Sequence, residues 1–349
     1  MKRTIAIIGY GVIGAWHAQN ITKRIPNLEV SHIYDINEEK RKKAVLDGFD
    51  CCATVEEFWK RSADFVLVAT PNNFHKEYCV EALSRGFNVV CEKPVCLDMQ
   101  QLQEILDCAK RNGKIFTVHF NRRWDYDYKI VEKVLQQGTI GKPYSIYSRL
   151  YSNRSIPCDW RTCKEAGGGY LFDWGVHLID QALTLKKEMP CSVYAELKHI
   201  YQTEVDDSIR ISLRWKDGLT IFLVADSWTF INEARWHLSG SDGTAIVEKW
   251  NGQDGKIIKA NVREVDWTQG CVYTHNGLSR TMYPRPKKEI EELPLPKIED
   301  PNWEDFYNNL LDCLDGKAEP LITQQQIQNV QTVLMACFES AKKNEVVKL

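Results

Sequence analysis

The chain has 349 residues, more than one hydrophobic core of ordinary size needs, so two domains are the default expectation. Its hydrophobic fraction of 44% and charged fraction of 26% are those of a globular protein, and 45 Lys plus Arg against 47 Asp plus Glu leave a formal net charge of −2. With no long run of one sign, nucleic acid is not expected as a ligand, and with no apolar stretch near the roughly 20 residues of a membrane span, a membrane partner is not expected either.

The apolar start Ile5–Ile8 is too short for a signal segment and runs straight into a glycine loop, so a cytoplasmic location is expected. The twelve cysteines fit that compartment as reduced thiols, buried or inert. They include the adjacent Cys51–Cys52 but no C-x-x-C, and Cys91/Cys96 and Cys158/Cys163 lack a complementary His pair. No metal site is therefore expected.

In chain order, Thr4–Ile8 reads as a short buried strand and Gly11–Ile21 has helical spacing. Leu28–Tyr34 is a second strand, Glu38–Leu46 a charged surface helix, Phe65–Ala69 a third strand, and Phe74–Arg85 a helix closed by Gly86. Asn88–Cys91 follows as a strand. Asp98 then caps a helix whose apolar Leu102, Ile105, Leu106 and Ala109 form one stripe, ended by Asn112–Gly113. Ile115–Val118 is one more strand. Strands and helices alternating at this pace predict an α/β fold with a doubly wound parallel sheet over residues 1–120.

From Tyr126 the rhythm changes. One helix reaches about Gln137, and longer alternating segments follow at Tyr144–Tyr151, Ser192–Ile200, Ser208–Trp215, Leu219–Ser227 and Trp236–Ser239. They predict a large, open, mainly antiparallel sheet with helices on one face, in a second α+β domain over 121–349. Residues 251–300 read only as loop and edge strand. Two helices close the chain, one with Trp303, Phe306, Leu310 and Leu314 on a face, the other capped by Thr323 and striped by Ile327, Val330, Leu334 and Cys337.

Gly9-Tyr-Gly11-Val12-Ile13-Gly14 follows the first strand and opens the first helix. In that context the first glycine permits a tight turn, the second lets a pyrophosphate approach the backbone, and the third allows close helix–strand packing. Phosphate would sit at the helix N-terminus. Asp35 ends the second strand, where the adenosine ribose is received. Its carboxylate would repel a 2′-phosphate, which favours NAD, while Lys40 and Arg41 keep NADP open.

The stretch GGGYLFDWGVHLID, residues 167–180, places Asp173 and His177 four apart, on one face if the segment is a regular helix. A carboxylate beside an imidazole is a proton-handling pair. A nucleotide loop plus such a pair suggests redox chemistry between two domains.

Further motifs appear in register: Ala69-Thr70-Pro71-Asn72 with His75, Glu92-Lys93-Pro94, Asn121-Arg-Arg-Trp124, Gly138-x-Ile-Gly141 and Trp160–Arg161. Together with the glycine loop and the 167–180 stretch, they resemble the Gfo/Idh/MocA oxidoreductases, named for glucose–fructose oxidoreductase and inositol dehydrogenase. The resemblance is dense over residues 1–180. It implies a Rossmann domain for the nicotinamide cofactor and a C-terminal domain that closes the site and forms a homodimer or homotetramer through its sheet.

It also implies roles. Lys93, Asp173 and His177 fall on the catalytic positions. Gly9, Gly11, Val12, Ile13, Gly14, Asp35, Thr70, Pro71, Asn72, His75, Glu92 and Lys93 form the cofactor site. Asn121, Tyr151, Trp160 and Arg161, with His119, are candidates for the sugar pocket, support of the fold being the alternative for each. The expected reaction is hydride transfer between nicotinamide and a secondary hydroxyl of a sugar, glycoside or cyclitol. His177 would be the base, Asp173 would orient it or bind a neighbouring hydroxyl, and Lys93 would stabilise alkoxide charge. Two rivals stay open: an enzyme that recycles NAD in place for isomerisation, elimination or glycoside cleavage, and a non-catalytic dinucleotide-binding sensor. The Gly-Gly-His-Gly sequence of the family's glycoside-cleaving subgroup does not occur.

Overall fold

A computed structural model describes residues 2–252, 254–261, 264 and 270–349. Strands β1 (Arg3–Ile8), β2 (Leu28–Tyr34), β3 (Phe65–Val68), β4 (Asn88–Cys91) and β5 (Phe116–Val118) form a parallel sheet ordered β2-β1-β3-β4-β5. The inner strands β1 and β3 carry unbroken apolar runs because helices cover both faces, Ile5–Ile8 and Phe65–Val68 being buried throughout, whereas the edge strand β2 carries the exposed Glu29. The helices are α1 (Val12–Arg24), α2 (Glu38–Leu46), α3 (Val55–Lys60), α4 (His75–Ser84) and α5 (Met99–Asn112). The Asp98 side chain caps α5 on the Gln101 N–H, and Gly113 closes it in the left-handed region at φ 60°. The six-residue α3 is absent from the sequence reading, being too short for a hydrophobic period. Its signal was the Thr54 cap, whose hydroxyl accepts the Glu57 N–H.

The rest of the chain builds α6 (Tyr126–Gln136), β6 (Pro143–Tyr151), α7 (Val176–Lys186), β7 (Ser192–Lys198), β8 (Ser208–Arg214), β9 (Thr220–Asp226), β10 (Trp236–Gly240), β11 (Gly243–Val247) and β12 (Gly255–Ala260). Then come a small hairpin, β13 (Val272–Thr274) with β14 (Gly277–Ser279), and β15 (Ile290–Leu293), α8 (Glu304–Leu314), α9 (Gln324–Lys343) and β16 (Val347–Lys348). The nine-stranded sheet runs β15-β12-β11-β10-β6-β9-β8-β7-β16, antiparallel except where β6 lies parallel to β9. β11, β12 and β16 are new relative to the sequence reading. β11 begins on Gly243, β12 lies inside the sheet with β15 at its edge, and the two-residue β16 closes the other edge on β7. Part of the 251–300 stretch lies outside the described residues.

Alternate residues of β9, namely Ile221, Leu223 and Ala225, are fully buried on the helix-covered face. The closing helices return to the first sheet. α9 packs on β7 and α7 and also reaches α5 and β5, and the Thr117 hydroxyl of β5 donates to the Ile322 carbonyl at 2.9 Å. α8 meets α1 through an Arg24–Glu304 ion pair, and Asp315, just past α8, pairs with Arg3 of β1 at 2.8 Å.

One buried ion pair fixes α7 to the turn after β5. The Arg123 guanidinium holds Asp180 through Nη2–Oδ1 at 2.6 Å and Nε–Oδ2 at 2.9 Å, with both residues buried. Arg123→Met leaves the carboxyl of Asp180 without its cation and is expected to cost about 3–5 kcal/mol of stability. Urea titration checks this, and a loss under about 1 kcal/mol would show the pair to be dispensable.

Candidate active site

The strand order reverses between β2 and β3 about β1, which opens a crevice at the carboxyl ends of the strands. Gly9 turns the chain there at φ 97°, and a Cβ on it would lie 2.5 Å from the Ala69 carbonyl oxygen. Over Gly11 the space is open, with nothing nearer to a Cβ than the Lys40 ammonium at 3.9 Å. No side chain caps α1, so its first N–H groups are left for a ligand. Val12 and Ile36 are apolar yet almost fully exposed at this rim.

Asp35 is buried, accepting the Tyr10 N–H at 2.7 Å and the Asn37 N–H at 2.8 Å. Two cations border it. Lys40 Nζ lies 4.0 Å from its carboxylate, and Arg41 donates to the Asp35 and Ile36 carbonyls. On the far side the Thr70 hydroxyl is buried without a partner, and Asn72 Nδ2 donates to the Gly167 carbonyl at 2.8 Å. Open space over Gly11, a free helix start and an orphaned hydroxyl fit a dinucleotide, with pyrophosphate on α1 and ribose near Asp35.

Two residues given to the cofactor by resemblance lie beneath the crevice. His75 is buried between two carbonyls, with Nδ1 2.7 Å from that of Pro94 and Nε2 2.8 Å from that of Thr70, and as a neutral ring it donates to one of them. The Glu92 carboxylate turns inward onto His17 and His119.

Lys93 emerges just past β4. Its ammonium donates to Asp173 Oδ1 at 2.8 Å and to the Asp173 carbonyl at 3.0 Å. Asp173 does not sit on a regular helix: Leu171–Gly175 is a π-helical turn running into α7. Asp206 holds the start of that turn by accepting the Leu171 N–H at 2.7 Å. The wide turn changes the geometry that a four-residue spacing implied. Asp173 bonds Lys93 and not His177, and Nδ1 of the buried His177 has no partner. The glycines ahead of the turn are packed tightly; a Cβ on Gly168 would lie 2.3 Å from the Arg161 carbonyl oxygen.

Burial, then the charges of Lys93 and Arg122, hold His177 well below the usual imidazole range. Burial opposes the charge on Asp173, but Lys93 outweighs it and the carboxyl falls below its ordinary value. The resting site therefore contains an ammonium, a carboxylate and a neutral imidazole.

Of these groups Asp173 lines a cleft of about 690 Å³, together with Trp174, Trp250, Tyr151, Tyr170 and Arg154, and the His177 ring lies against Trp174 at 5.6 Å. Trp174 meets Trp250 edge to face at 5.6 Å, and the Arg122 guanidinium lies over both rings at 5.0 and 5.1 Å. Of the proposed pocket residues, Tyr151 lines the cleft. Arg161 pairs with Asp159 at 2.7 Å, stacks on Trp160 and accepts the Gly169 N–H, so both buttress the glycine stretch. Asn121 opens the short turn Asn121–Trp124. Arg122 and Trp174 lay within quoted motifs but were not singled out. Trp250, past the end of β11, carried no sequence signal.

Residues 3–120 match the family described as "Oxidoreductase family, NAD-binding Rossmann fold", and residues 128–246 match the "GFO/IDH/MocA C-terminal domain". The chain belongs to the Gfo/Idh/MocA oxidoreductase family. Its first sheet and helices are therefore an NAD-binding Rossmann domain. The chain is 25% identical over 352 residues to scyllo-inositol 2-dehydrogenase (NADP(+)) of Bacillus subtilis, spanning 99% of this chain and 95% of that one. It is 28% identical over 271 residues to myo-inositol 2-dehydrogenase of Thermotoga maritima, spanning 74% and 76%. The crystal structure of an NAD-binding protein from Listeria innocua superposes with a TM-score of 0.93 at 36% identity, covering 100% and 99%. All twelve cysteines are free, and among the described residues no helix is long and apolar enough to cross a membrane.

His17, His75 and His177 are each pushed below the imidazole value of 6.5, burial being the largest cause. The unfolded chain protonates near 6.5, so below that pH it binds more protons than the folded one, and stability falls with acid. Burial also pushes the Asp125 carboxyl up to about 7 and Asp206 up to about 6, and these two work the other way over the same window, because there the folded chain binds the extra proton. His17→Asn removes one of the acid-destabilising rings, so its unfolding midpoint is expected to fall less between about pH 6.5 and 5 than that of the unmodified protein; an equal fall would contradict a buried neutral His17.

Proposed function

We propose that this protein is an NAD-dependent dehydrogenase for a secondary hydroxyl of a cyclitol or sugar, running in either direction. The observation that carries this reading is the Lys93–Asp173 pair near a buried imidazole with an unengaged nitrogen, with Asp173 on the wall of an aromatic cleft. Trp174, Trp250 and Tyr151 offer flat apolar walls for the C–H faces of a ring, and the cleft holds a monosaccharide-sized molecule. The two inositol dehydrogenase relatives make a cyclitol the favoured class.

When bound, the nicotinamide supplies the hydride acceptor or donor. The protein's own groups handle charge and protons. Lys93 donates a hydrogen bond to the reacting oxygen and stabilises negative charge as it develops. His177, neutral at rest, takes the hydroxyl proton in oxidation and returns it in reduction. Asp173 keeps the Lys93 ammonium aimed, and its second oxygen accepts a neighbouring hydroxyl. Pairing into a homodimer or homotetramer uses the helix-free face of the large sheet, where Tyr147 and Phe222 stack at 4.5 Å.

A panel of inositols, monosaccharides and aryl glycosides with NAD and NADP, followed by reduced-nicotinamide absorbance, tests the reading. His177→Asn is expected to lower kcat by about 10²–10⁴-fold, and Lys93→Met by about 10²–10³-fold, with nucleotide binding retained. Full activity in both would sink the mechanism, and steady product without reduced nucleotide would instead show NAD recycled in place. The acid limb of kcat/KM for oxidation is expected below pH 6.5, because His177 is held below that value. Asp35→Ser is expected to narrow the preference for NAD over NADP by about tenfold; an unchanged ratio would remove Asp35 from nucleotide choice.

A further inference from the structure

Beneath the crevice lie four buried polar groups that this mechanism does not use. Glu92 Oε1 accepts from His17 Nε2 at 2.8 Å and from His119 Nδ1 at 2.9 Å, while Oε2 accepts the Lys93 backbone N–H at 3.2 Å. Tyr307, on α8, is hydrogen-bonded through its hydroxyl to His17 Nδ1. All four side chains are shut from solvent.

The proton positions follow from the partners. A carboxylate only accepts, so His17 carries its proton on Nε2 and His119 on Nδ1. His17 Nδ1 is then a lone pair, and Tyr307 must be the donor to it. The bonds among Glu92, His17 and Tyr307 are all made with Glu92 ionised and the His17 ring neutral. Among the described residues, His17, Glu92 and His119 are also the one trio whose ligand atoms lie close enough together for a metal ion. Here the two ring nitrogens share a single oxygen, and the other nitrogen of His17 is taken by Tyr307, so protons account for the cluster without an ion.

The link to chemistry is the peptide of Lys93. β4 ends at Cys91, so the Lys93 N–H has no sheet partner, and Pro94 contributes no donor. The Glu92 carboxylate holds that N–H, and the His75 ring lies 2.7 Å from the Pro94 carbonyl. We propose that Tyr307 and His17 are positioning residues which, through Glu92, fix the backbone of Lys93 and so the reach of its ammonium to Asp173. α8 thereby takes part in the active site without touching it. This rests on the reading of Lys93 as the reacting lysine, and the test includes a readout independent of any substrate.

Tyr307→Phe removes one hydroxyl and little volume; Glu92→Gln sets an amide against two N–H donors. In the full-length protein, Lys93 is acylated over a pH series and quantified by peptide mass spectrometry against exposed Lys110. The Lys93-to-Lys110 rate ratio is expected to rise about fivefold in Tyr307→Phe, and kcat to fall by a similar factor with the nucleotide KM within about twofold. If Glu92→Gln does not fold, Tyr307→Phe carries the test alone. An unchanged ratio alongside a lowered melting temperature would overturn the proposal in favour of a purely structural cluster. Stoichiometric metal in the purified protein would overturn it as well. If no polyol is turned over but the acylation ratio still rises, the dehydrogenase reading fails and the positioning network stands.

Discussion

The site depends on one ion pair, Lys93 with Asp173, whose partners lie 80 residues apart. The lysine comes from the end of a parallel strand, the aspartate from a π-helical turn that feeds the next major helix. The pair is only part-buried, its side chains 18% and 23% exposed, so each charge keeps some water while the hydrogen-bonded contact fixes where it points. The pair thus demands that the Rossmann sheet and the 171–186 segment be seated together before the site exists.

The pair also bears on the state of the imidazole. Burial first, then the Lys93 ammonium and the Arg122 guanidinium, hold His177 well below the usual imidazole range. The Lys93 cation thus sits where the proposed mechanism needs it and, after burial, helps keep the proposed base unprotonated, so the two proposed roles are coupled by position. Arg122 adds a mechanical role, because it lies over two of the indoles that wall the cleft.

Much of this was legible in the chain. The glycine loop, the apolar strands, the Asp98 and Thr323 caps and the Glu92-Lys93-Pro94 segment all express local rules, and local rules survive folding. What stayed hidden depended on departures from regularity or on long separation. A four-residue spacing looks the same whether the helix is regular or wide, so the loss of the Asp173–His177 contact left no trace in the sequence. β11 was masked by the glycine that starts it. Trp250 enters the cleft from a strand end with no motif, and Tyr307 meets His17 across 290 positions, where no periodicity can report a contact.

The closing helix α9 touches both sheets, packing on β7 on one side and on α5 and β5 on the other. Two lobes joined by one strap could swing apart; two lobes also stapled by a 20-residue rod resist it. Traffic of a small molecule in and out of such a body falls to the loops around the cleft, above all the 152–157 segment and the turn bearing Trp250. Lys93 and Asp173 already touch within this body, so the ordering cost of their pair is met during folding rather than when a ligand arrives.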